Sequence, residues 1–175
     1  MNNSFIAAMN SNIQRARAGL NDSSAVLCKD DLVDLGRLLQ AVFEEQQQRV
    51  AQLQTIVRCD SLPRVHGKVQ TLLTLFRSLV GLILSNPPKQ SKLFIYIKCE
   101  RIDTDIIDMT LPDGFGPYLI SFYTNSNPGP EWETANSDTL AQCQQLMAEG
   151  KGTLTFPSAQ SAGCLFALNL PGKIN

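Results

Sequence analysis

The segment that constrains this chain most is KVQTLLTLFRSLVGLIL, Lys68 to Leu84, which is apolar on nearly every side. A helix without a polar face has to be covered all round, so it belongs inside a layered domain and pressed against a sheet. Asn86-Pro87-Pro88 stops it, because a proline lacks the N–H and disfavours helical geometry in the residue before it. Everything else in the fold has to supply surfaces for this one helix.

Period-two segments supply them. KLFIYIKC (92–99), DTDIIDMTL (103–111) and YLISFYTN (118–125) read as strands, and Pro112-Asp113-Gly114-Phe115 between the last two is a hairpin turn signal. AQLQTIVRC (51–59) alternates Ala51, Leu53, Thr55 and Val57 against Gln52, Gln54 and Ile56, as a half-buried strand does. Upstream, Asp30 or Asp31 opens a helix through LVDLGRLLQAVFEEQQQRV, with Leu32, Leu35, Leu38, Leu39 and Val42 on one face. NSNPGPEWETANSD (125–138) is a polar loop, TLAQCQQLMAEG a helix ended by Gly150, and TLTF and CLFALNL are closing strands. Phe5, Ile6, Met9, Ile13 and Leu20 place a short amphipathic helix over residues 3–20. The expected architecture is α+β, a two-layer α/β sandwich whose mixed, mostly antiparallel sheet is covered by helices on one face.

Composition narrows the function. A chain of 175 residues with 43% hydrophobic content can bury a full core, so one domain with a helical appendage is expected, divided at 1–28 and 29–175. Lysine and arginine total 15 against 16 acids, which leaves no positive surplus for a phosphate backbone and disfavours nucleic acid as a partner. The five cysteines are odd in number, widely spaced and without a Cys-x-x-Cys pair, arguing against a disulfide framework or zinc site and for a reducing cytoplasm. MNNSFIAAMNSNIQRARAGL has no basic leader and no long apolar run, so neither signal peptide nor membrane span is expected.

VDLGRLLQAV (33–42), a strand, LPRVHGKVQTLLTLFRSLVGLIL, LFIYIKCER, and above all LAQCQQLMAEGKGTLTFPS…GCLFALNLP (140–171) follow one another in a telling order. Over residues 31–171 the chain resembles the catalytic and ATP-binding domain of sensor histidine kinases, a histidine kinase-like ATPase fold shared with gyrase B. The resemblance implies an asparagine on the core helix holding Mg²⁺, an aspartate accepting from the adenine amino group, and glycine turns whose N–H groups approach phosphates.

Those positions are altered here. Without gaps from Val65-His66-Gly67, the family's paired helix asparagines fall on Ser78 and Leu82, and a leucine cannot ligate a metal. Asn86 lies one helical turn late and reads as the helix C-cap, or else as a displaced ligand. Two registers of the adenine box stay open: Pro112-Asp113-Gly114-Phe115-Gly116 occupies it, or ISFYTNS is the strand and Thr124 takes the aspartate's place, with the hairpin reading preferred. The second glycine box reads Ser137-Asp138-Thr139-Leu140, with no glycine. Phe5 to Gln14 echoes the phosphoacceptor helix, with Ser11 where the histidine would be, so 1–28 is taken as a vestige of the dimerisation segment.

Other chemistry is weaker. His66 is read as a loop or helix-start residue, not a base, since no partner is placed beside it. Asp103, Asp105 and Asp108 are read as a solvated strand face over a carboxylate pair. Trp132 either anchors a partner or caps the emptied pocket. The resemblance therefore leads to a non-catalytic module of two-component signalling, cytoplasmic, with no catalytic or metal-ligating residue and no cofactor expected. Its partner would be a receiver domain or kinase, with homodimerisation through the N-terminal helix. The alternatives are a histidine kinase-type protein that keeps Mg-ATP in a shifted pocket of Asp113, Gly114, Gly116 and Asn86, and a histidine-phosphotransfer-like protein.

Overall fold

Asp34 decides where the first helix begins. Its side chain accepts the N–H of Arg37 at 3.1 Å and caps helix α1, Leu35–Glu45. Helix initiation at Asp30 or Asp31 is thereby corrected, because Leu32–Asp34 forms strand β1, with Leu32 opposite His66 and Asp34 opposite Arg64. A turn at Gln46 separates α1 from α2, Gln47–Gln52. The alternation from Ala51 to Val57 is also corrected: Ala51 and Gln52 end α2, Gln54 takes φ +48°, and strand β2 runs only from Ile56 to Cys59. Alternating apolar residues across a helix end and a turn mimic a strand over so few positions. The computed structural model describes residues 32–89, 91–102, 115–126, 129, 131–156 and 163–173. The expected helix at 3–20, Ser11, the strand at 103–111 and the turn residues Pro112 to Gly114 lie outside them.

Past β3 (Arg64–His66) the core helix α3 occupies Val69–Leu84 as its sequence requires, burying Leu72, Leu75, Phe76, Leu79, Val80, Leu82, Ile83 and Leu84. At about 1.5–3 kcal/mol for each large apolar side chain removed from water, no other segment contributes as much burial. Strands β4 (Phe94–Arg101) and β5 (Gly116–Thr124) follow, then α4 (Glu131–Ala135), α5 (Ser137–Glu149), β6 (Thr153–Thr155) and β7 (Cys164–Lys173). Helix α4 lies in the stretch expected to be loop; the expectation missed that Glu131 and Glu133 are acids suited to a helix's first turn.

Among the described residues the sheet has seven strands, in the order β1-β3-β7-β5-β4-β2 with β6 also on β7. All pairs are antiparallel except β2 with β4. Registers such as Ile97 to Phe122, Phe122 to Phe166 and Ile120 to Leu168 put Ile95, Ile97, Ile120, Phe122, Phe166, Leu168 and Leu170 on one face. That face meets α1 through Leu35, Leu38, Leu39 and Val42, meets α3, and meets α5 through Leu140, Cys143 and Met147. Phe94, Tyr96, Lys98 and Glu100 alternate onto the other face. The α+β sandwich with helices on one side is the architecture expected from the sequence.

Candidate functional site

The C-terminal end of β5 meets the C-terminal end of α3, and the buried polar residues Thr124 and Ser126 lie at this junction. A bulge between Phe122 and Tyr123 breaks the ladder with β7 and re-aims the residues that follow. Thr124 is buried, and its N–H donates to Gly163 O at 2.9 Å. Gly163 has φ +80°, and a Cβ there would lie 3.0 Å from Thr124 O, so both dihedral and space call for glycine. Thr124 Oγ1 accepts the Ser126 N–H at 3.1 Å, and the Ser126 hydroxyl donates to Asn86 O. Asn125 Oδ1 accepts the Phe94 N–H at 2.8 Å, while its Nδ2 donates to Lys92 O at 2.9 Å and Ser91 Oγ at 3.2 Å. Residues 124–126 are thus tied by their own side chains to the helix end and to the start of β4.

On α3, Ser78 stands beside the Cys143 thiol of α5, whose titration burial pushes up while Ser78 lowers it. Leu82 is 7% exposed and belongs to the core. The helix C-cap is Ser85, one residue before the position expected, and its Oγ donates to Gly81 O at 2.7 Å while accepting from Arg49 Nη2 at 3.3 Å. Asn86 follows it, its N–H donating to Ile83 O at 3.2 Å.

Ser137 to Leu140 form the first turn of α5, with Leu140 buried and Asp138 placing a negative charge at the helix start. Asn136 precedes it as N-cap, and its Nδ2 donates to Trp132 O at 2.8 Å. Trp132 lies 6.1 Å from the Phe166 ring, Phe156 5.9 Å and Phe122 6.4 Å, with Phe76 of α3 6.2 Å beyond Phe122. Aromatic rings therefore run without interruption from α3 through the sheet to α4. Trp132 is half-buried and packs against the core.

Gly116 stands elsewhere. It opens β5, pairs with Gly172, and is faced by Arg101, whose Nε would lie 2.9 Å from an added Cβ. Eight strand steps of about 3.3 Å put it roughly 26 Å from Thr124. Since Ser126 bonds to Asn86, Gly116 and Asn86 are at opposite ends of β5 and are not brought together. Asp113 and Gly114 lie outside the described residues. His66 closes β3, correcting its assignment to a loop or helix start, and stacks on Phe115 with centroids 4.7 Å apart.

Sequence reasoning passed over Asn125, Ser126 and Asp60. Asp60 ends β2, accepts the Cys99 N–H at 3.1 Å and the Tyr96 hydroxyl at 3.2 Å, and so fastens β2 to β4. Burial first, and the Asp60 carboxylate second, push the half-buried Cys99 thiol up to about 11, which leaves it protonated and unreactive near neutral pH. Among the described residues no group of three His, Cys, Asp or Glu side chains is placed to hold a metal ion. None of the described helices is long and apolar enough to cross a membrane.

This arrangement of sheet, core helix and closing helix is the fold of a histidine kinase catalytic domain. Among solved structures, the mycobacterial sensor histidine kinase MprB matches with a TM-score of 0.59 at 16% identity, over 84% of this chain and 100% of that one. The nucleotide-free catalytic domain of the histidine kinase ThkA gives 0.61 at 14% identity, covering 83% and 97%. The Acinetobacter baumannii histidine kinase AdeS gives 0.58 at 12%, covering 97% and 81%. No family sequence model matches the chain, and no curated protein matches it. The likeness is one of fold.

Proposed function

We propose that this chain is a non-catalytic signalling or interaction module built on the histidine kinase catalytic-domain fold, acting in two-component signalling through a receiver domain or kinase partner. The observation that carries the reading is the 124–126 junction, where Thr124, Asn125 and Ser126 each bond to the protein's own backbone and none carries the charge of the aspartate that the resemblance implies. An adenine acceptor must present a free lone pair, and a Mg²⁺ ligand a free oxygen. Thr124 is a neutral hydroxyl that already accepts the Ser126 N–H, Ser78 stands beside the Cys143 thiol, and Leu82 is core. Asp138 at the start of α5 opposes a phosphate there. Among the described residues, Ser78, Leu82 and Thr124 argue against Mg-ATP held in the manner of the kinases. The cytoplasm as location and homodimerisation through residues 1–28 belong to the same proposal.

Thermal melting with and without millimolar Mg-ATP tests it. A ligand at a hundred times its Kd adds about 2.7 kcal/mol of stability, roughly 5–10 °C for a domain of this size. The expected result is an unchanged melting temperature. A rise of several degrees overturns the reading, and its loss in Asp113→Ala would place the nucleotide beside Asp113.

A further inference from the structure

We draw no further inference here: the strongest candidate, the outer face of the sheet where Phe94, Tyr96 and Tyr123 lie between Arg58 and Lys98, carries nothing because nothing in the structure shows what covers it.

Discussion

A methyl group added at Gly152 would lie 2.7 Å from Asn169 O, Leu170 Cδ2 and Met147 Cε. The carbonyl belongs to β7 and cannot retreat as a flexible side chain could. Gly152→Ala should therefore lower stability by about 1–3 kcal/mol, read as a lower urea midpoint. Gly81 is the opposite case, in mid-α3 with nothing within 4 Å of an added Cβ. Gly81→Ala should raise the midpoint, by roughly 0.5–1 kcal/mol, because alanine loses less backbone entropy in a helix. Both glycines are plain in the sequence, but only the packing gives their substitutions opposite signs. The same holds at the candidate site: Ser78 and Leu82 can be named from spacing, whereas the approach of Ser78 to Cys143 brings together residues on two separate helices.

Between elements, α1 and α3 are braced by Glu45 and Arg77, with Arg77 Nε donating to Glu45 Oε2 at 2.6 Å and Nη2 donating to Oε1. The Arg77 hydrogen bonds hold the Glu45 carboxyl below its ordinary range. A depressed carboxylate gives stability that is present above its unfolded value and lost as pH falls through the folded one. With side chains 42% and 45% exposed, solvent screening limits the pair to about 0.2–1 kcal/mol. Glu45→Gln should melt lower than the parent at neutral pH and converge with it as the medium becomes acid enough to protonate Glu45. Legibility also differs between elements. The continuous apolar run of α3 and the alternation in β4, β5 and β7 report themselves, since each is long enough to show its period. Strands β1 and β3 span three residues apiece and carry no period, and they exist because Leu32 to Asp34 pairs with Arg64 to His66 and Val65 with Gly172.

Across the whole molecule, the aromatic rings form one connected body. Phe166 is fully buried and touches Phe122, Phe156 and Trp132. Phe166→Ala should cost about 3–5 kcal/mol, and the fluorescence of Trp132, the chain's one tryptophan, should shift to the red as water reaches the space. An unshifted spectrum would show that the core collapses around the gap and that Trp132 does not depend on Phe166. By itself the sequence determined the core helix, the proline stop after it, the main strands and the type of architecture, because periodicity and chain-breaking residues are local properties. It also showed that leucine and serine stand where the resemblance implies asparagines. Only the tertiary structure decided that Ser126 bonds to Asn86 and Asn125 to residues 91–94, and that Gly116 and Asn86 lie at opposite ends of β5. Hydrogen bonds between residues thirty to forty positions apart leave no mark in local spacing, so a site assembled from them becomes readable only once the sheet has brought its ends together.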